Sequence, residues 1–191
     1  IPYLQAAQQE HDAFAEMLRH NGTQVLYLEE LMTQTLAADP HVRRRFVRQL
    51  TAEGGRIARH FQPALYEYLT ARTADALVRR TMTGVSMEEF LPEGQRGALV
   101  SLTRGSHRFV LDPIPNLYFT RDPFACIGEG VSLNAMYSPT RRRETIYGQY
   151  ILKYHPDFAG QVPFYYRRED PFSIEGGDIL NLSPRLLAVG I

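Results

Sequence analysis

Hydrophobic residues change their spacing along this 191-residue chain, and each change marks a different kind of element. Leu4, Ala7, His11, Phe14 and Leu18 recur at three- and four-residue intervals, the period of a helix face, and Asn21-Gly22 then offers the left-handed stop such a helix favours. "TQVLYL" reads as a short strand after it. From about Leu31 to Gly105 the chain becomes a series of short helical patterns: "HVRRRFVRQL", "PALYEYL", "TADALVRRTMTG" and "SMEEFL". Gly54-Gly55, Pro63, Gly84 and Pro92 punctuate them. Val42, Phe46 and Leu50 form the inward stripe of the first pattern and its arginines a solvated face. Thr73 and Ser86 stand as N-caps, and Ser86 with Glu89 has capping-box spacing.

From His107 onward the period shortens to that of strands, in "RFVLDP", "FACI", "VSLN", "VPFYY", "DILNL" and "RLLAVGI". Gly128-Glu129-Gly130 makes "FACI" and "VSLN" a hairpin, because glycine accepts the positive φ a tight turn requires. "RETIYGQYILKY" repeats Ile146, Tyr150 and Tyr154 at helical spacing before "VPFYY" returns as a strand. Hairpin, helix and strand make a ββαβ unit, and "DILNLSPRLLAVGI" begins another across a Ser-Pro turn. The chain therefore reads as α/β: residues 1–32 open an α/β domain, residues 33–106 form an inserted helical domain, and residues 107–191 resume the α/β part.

Composition narrows the function. Lys plus Arg and Asp plus Glu are 21 each, so no net field draws the chain to nucleic acid or to an anionic membrane. One cysteine makes no internal disulfide, and no apolar run approaches the roughly 20 residues of a membrane span. A cytoplasmic location is expected. Both ends look cut, as in an internal piece of a longer protein. The six histidines lack metal-ligand spacing, so no metal site is expected.

Three stretches could carry chemistry. Asp122 lies between "LYFT" and Pro123, at an expected strand end, where active sites are commonly built. An isolated Asp-Pro more often caps a turn or pairs with a neighbour such as Arg121. In "SIEGGDILNL", Glu175 and Asp178 enclose Gly176-Gly177, a pair that lets the backbone turn or approach something closely; a glycine bulge with exposed acids explains the segment equally well. Arg141, Arg142 and Arg143 crowd the positive end of a helix dipole, which implies an anionic partner, a carboxylate or phosphate, for at least one of them. The other two read as a solvated face with Glu144 as counter-charge. Cys126, inside "FACIG" with no basic neighbour, reads as a quiet, half-buried thiol.

Taken together, "IPNLYFTRDPFA", "RRRETI" and "SIEGGDIL", with the "IPYLQAAQQEHDAFAEMLRHNGTQVLYLEEL" start, closely resemble the arginine deiminase family of the guanidino-group-modifying (pentein) superfamily. "PNLYFTRDP" is specific, whereas "EGGD" alone would be weak. The resemblance implies an α/β-propeller of ββαβ modules, here partial, carrying an inserted helical domain. It implies hydrolysis of free L-arginine to citrulline and ammonia, without a cofactor, through a covalent thiouronium on a cysteine. By the same resemblance Asp122 grips the substrate guanidinium and Glu175 contacts it and supports a catalytic histidine, while Asn116 and Arg141 hold the α-carboxylate. Carboxylates suit a flat guanidinium with parallel N–H donors, and on this reading the ligand is the partner Asp122 lacks. The family's His-x-Asp element and nucleophilic cysteine lie downstream of "EGGD", so the residues present carry half a site and are expected to be inactive alone. The complete protein is expected to be a homo-oligomer. Rival readings are a glycosidase using Asp122 and Glu175, for which the chain lacks tryptophan platforms; another guanidine-acting pentein; and an arginine-binding or helical interaction module using His41 to Leu91.

Overall fold

The computed structural model describes residues 3–91 and 108–190. The boundary expected at 106/107 lies outside them. The first helix, α1 (Leu4–His20), ends as its sequence foretells: Gly22 takes φ 81°, its N–H bonds Arg19 O at 2.9 Å, and Thr23 N–H reaches back to Leu18 O at 3.0 Å. The face marked by Leu4, Ala7, His11 and Phe14 is nevertheless exposed, and only Ala15 is buried. The strand expected at "TQVLYL" does not form; Thr23 to Tyr27 pair with no strand and Leu28 already begins a helix.

That helix, α2 (Leu28–Ala38), leads into α3 (Pro40–Glu53), α4 (Gly55–His60), α5 (Gln62–Thr70) and α6 (Ala74–Thr83). Helix α3 starts sharply because Pro40 occupies its first turn and Asp39 caps it, accepting His41 N–H at 2.6 Å. Val42, Phe46 and Leu50 point inward as expected. Strand β1 (Val85–Ser86) and helix α7 (Met87–Phe90) follow, and β1 pairs antiparallel with β2 (Phe109–Leu111). Only half of the expected capping box exists. Ser86 accepts Glu89 N–H at 3.1 Å, but the Glu89 carboxylate turns to Tyr68 Oη and, at 3.0 Å, Arg80, which outcompete a local backbone donor. Thr73 sits at the start of α6 without capping it.

Strands β3 (Phe124–Ile127) and β4 (Gly130–Leu133) form the expected hairpin, with Gly128 at φ 54° in its turn. Helix α8 (Glu144–Tyr154) then returns the chain to β5 (Phe164–Tyr166), parallel to β4, completing one ββαβ unit. Strands β6 (Ile179–Ser183) and β7 (Leu186–Val189) make a separate antiparallel hairpin. Among the described residues the sheets contain two, three and two strands and remain distinct. No described helix is long and apolar enough to cross a membrane.

One continuous apolar core runs from the helices into the α/β part and fixes α8. Phe46 of α3 packs edge-on against Tyr147 and Tyr150 of α8, with centroids 5.6 and 5.3 Å away, an arrangement that suits the ring quadrupoles. The buried phenols are also satisfied: Tyr147 donates to Thr81 Oγ1 at 2.9 Å and Tyr150 to Gln49 Oε1 at 3.0 Å. Because these contacts lock α8, they also lock the 3-10 turn Arg141–Arg143 at its start.

Candidate functional site

Two loops and the start of α8 converge beside β3. Asp122 lies in the turn that enters β3 rather than at the end of a strand, since "LYFT" forms no strand. Pro123 lacks an N–H to extend a ladder, so pairing begins only at Phe124. The Asp122 backbone is anchored by Asn134, fully buried, whose Nδ2 donates to Asp122 O at 2.7 Å while its Oδ1 accepts Ser132 Oγ at 2.8 Å.

The same Asp122 carbonyl accepts Gly176 N–H at 3.2 Å, docking the 3-10 turn Gly176–Asp178. That approach explains one of the two glycines. A Cβ on Gly176 would stand 1.8 Å from Arg121 O, whereas one on Gly177 would meet nothing within 4 Å. Arg121 does not pair with Asp122; its guanidinium crosses to Gly176 O and Ile179 O, both at 3.1 Å, and ties the loops together. Glu175 precedes the turn, in a reciprocal cap with Asp178, and its Oε1 accepts Tyr137 N–H at 3.3 Å.

These constraints bring Asp122 and Glu175 to one place, far apart though they are in the chain. The group between them is Arg141. Its guanidinium donates to Asp122 Oδ2 at 2.9 Å and to both oxygens of Glu144, with Nη2 at 2.8 Å, and its Nη1 lies 3.6 Å from Glu175 Oε2. Hydrogen bonding to Glu144 foremost, opposed by burial and aided by Asp122, raises the Arg141 pKa further above its ordinary value. The expectation that Asp122 lacks an internal base therefore fails in this structure. The Arg141 side chain is 20% exposed, and its partners Asp122 and Glu175 are 29% and 28% exposed, so the cluster is half-open to solvent. The Asn116 side chain makes no hydrogen bond to any of these groups; its carbonyl accepts Phe119 N–H at 3.0 Å in a neighbouring turn.

Glu144, expected only as a local counter-charge, joins the site itself; its spacing of three from Arg141 at a helix start is the sequence signal for that pairing. Its side chain is 2% exposed, so it behaves as the fixed acid of the cluster. The arginine run also departs from expectation: Arg143 is buried rather than solvated, and only Arg142 faces outward fully. Burial follows because Arg143 reaches inward to Asp112 O at 2.9 Å and Pro113 O. Cys126 is exposed, not half-buried; it lines a separate depression with Arg121, Gly176 and Asn181. No cluster of metal-ligating side chains occurs among the described residues.

Three convergent carboxylates around one guanidinium, built from "TRDP", "RRRE" and "EGGD", can be set against known proteins. The family model described as arginine deiminase matches residues 1–191. An arginine deiminase of Treponema denticola is 47% identical over 192 residues, one of Streptococcus gordonii 48% over 194, and one of Streptococcus agalactiae 46% over 194. Each alignment covers 100% of this chain and 47% of the relative, so the chain spans about half the length of the curated relatives it matches. With its whole length matched by the family model and these relatives close to half identical, the chain belongs to the arginine deiminase family.

Proposed function

We propose that the protein of which these residues form part hydrolyses free L-arginine to citrulline and ammonia, and that Asp122 and Glu175 hold the guanidinium that reacts. The observation that carries this reading is the position of Arg141. A guanidinium already sits on Asp122 and Glu144 within 3 Å and within 4 Å of Glu175, so the site accepts the chemical group the substrate would present. Substrate arginine would displace Arg141, whose freed cation then turns to the substrate's α-carboxylate together with Asn116. Glu144 remains as the anion that keeps Arg141 nearby. Two acids on a planar cation orient it and disfavour uncharged competitors, because an unpaired half-buried carboxylate pair is costly.

The nucleophile is not among the groups touching this cluster, and Cys126 is not assigned that role; a cysteine and histidine elsewhere in the protein would supply attack and proton transfer. The family also supports completion of the ββαβ unit into a propeller, with residues 33–106 as a helical insertion, and a homo-oligomeric cytoplasmic enzyme without a cofactor. The test is citrulline release from arginine by the intact protein, with Asp122→Asn and Glu175→Gln, and with agmatine as the carboxylate-free comparison. Loss of turnover in both variants and preference for arginine over agmatine are expected. Undiminished arginine binding by Asp122→Asn in calorimetry would defeat the assignment.

A further inference from the structure

On the other side of the Arg141–Arg143 turn lies a second pocket, of about 570 Å³, at the seam between the helices and the α/β part. Its walls come from the end of α3 and from α4 on one side and from the segment before α8 on the other. Four arginines, Arg59, Arg142, Arg143 and Arg168, line it against two acids, Glu53 and Asp112. Arg168 is already satisfied: both its terminal nitrogens bond Glu53, and its Nε donates to Thr145 Oγ1 at 2.9 Å. Glu53 is thereby spent, and Arg168 acts as a strut across the seam.

The remaining three guanidinium groups are not balanced. Arg143 is 4% exposed, yet it donates to the backbone carbonyls of Asp112 and Pro113, and among the described residues no carboxylate lies within ion-pair reach. Burial is the leading influence on it and disfavours the charged form, with the charges of Asp112, and less strongly Glu53 and Glu144, opposing from a distance. Arg142 and Arg59 engage only Nε, on Met136 O and Gly55 O at 3.3 and 3.2 Å, which leaves their terminal nitrogens without partners among the described residues. A buried cation whose nearby acids are not in direct contact is costly, and an anion from outside the chain would lower that cost. Three guanidinium groups lining one pocket, one buried and two exposed, suit a tetrahedral, multiply charged anion better than a flat carboxylate, which one guanidinium alone can satisfy. The chain's zero net charge makes this a local feature rather than a general basicity.

We propose that this seam pocket binds a phosphate-bearing small molecule through the buried Arg143 and the exposed Arg59 and Arg142. The site is independent of the guanidinium cradle, since Asp122 and Glu175 do not line it. Calorimetric titration of the intact protein with inorganic pyrophosphate at low ionic strength tests it. We expect one saturable site, weakened at least tenfold in the Arg59→Ala/Arg142→Ala double variant and unchanged in Asp122→Asn. Arg143→Met, checked for folding by circular dichroism, should abolish binding; the surface double variant keeps the test decisive if Arg143→Met does not fold. Absence of saturable binding, equal binding by the double variant, loss in Asp122→Asn, or acetate binding as tightly as pyrophosphate would each overturn the proposal.

Discussion

Replacing Gly176 by alanine isolates the contact that brings the two acidic loops together. The added methyl carbon would stand 1.8 Å from Arg121 O and 2.6 Å from Arg121 C, both rigid backbone atoms. Relief requires the turn or the Arg121 strand entry to retreat by more than about 1 Å, an overpacking strain of ~1–3 kcal/mol. Such a retreat also breaks Gly176 N–H to Asp122 O and Arg121 Nε to Gly176 O, at about 1 kcal/mol each. The expected loss is therefore ~3–5 kcal/mol of unfolding free energy, measured by urea denaturation. Gly177→Ala is the internal control: its methyl meets nothing within 4 Å and its φ is not positive, so the change should lie within about 0.5 kcal/mol of zero or stabilise slightly. Arginine affinity should fall with Gly176→Ala and hold with Gly177→Ala, because only the former separates Asp122 from Glu175. Equal stabilities for the two variants would refute the claim that close backbone approach, rather than turn flexibility, explains this glycine.

Other expectations follow from the same contacts. Arg141→Met leaves the buried Glu144 carboxylate without its cation and should cost ~3–5 kcal/mol, most of it recovered by adding Glu144→Gln; a double variant no more stable than the single one would contradict this. Phe46→Ala should cost ~3–5 kcal/mol and weaken the helices and α8 in one cooperative transition, and two separated transitions in calorimetry would show that the shared core does not couple them. Burial first, and then its hydrogen bond to Glu89, pushes the Tyr68 phenol up to about 12, above its ordinary value near 10. A raised folded-state pKa contributes stability fully below pH 10 and loses it as pH climbs towards 12; Tyr68→Phe should flatten the urea midpoint in that window, and an unchanged alkaline slope would count against it.

Much of the architecture was legible because local rules were strong. The α1 stop at Asn21-Gly22, the inward stripe of α3, the "FACI"/"VSLN" hairpin and α8 each follow from spacing, glycine placement or both. "TQVLYL" misled because β propensity becomes a strand only when a partner offers a ladder, and none of the described residues does so here. Ser86 and Glu89 misled in a related way: correct spacing put the acid within reach of its own backbone, but Tyr68 and Arg80 from other helices captured it.

The candidate site divides along the same line. Residue types and order along the chain singled out Asp122, Glu175 and the arginine run as candidates, and the family resemblance implied a guanidinium as their ligand, a flat cation whose parallel donors carboxylates match. Which base meets which acid was not readable, since Arg141 reaches 19 residues back to Asp122 and the burial of Glu144 depends on how α8 packs on α3. The seam pocket and its unbalanced Arg143 belong wholly to the tertiary structure. Sequence specifies the charges, but only packing decides which are removed from water, and removal from water is what makes a missing counter-charge matter.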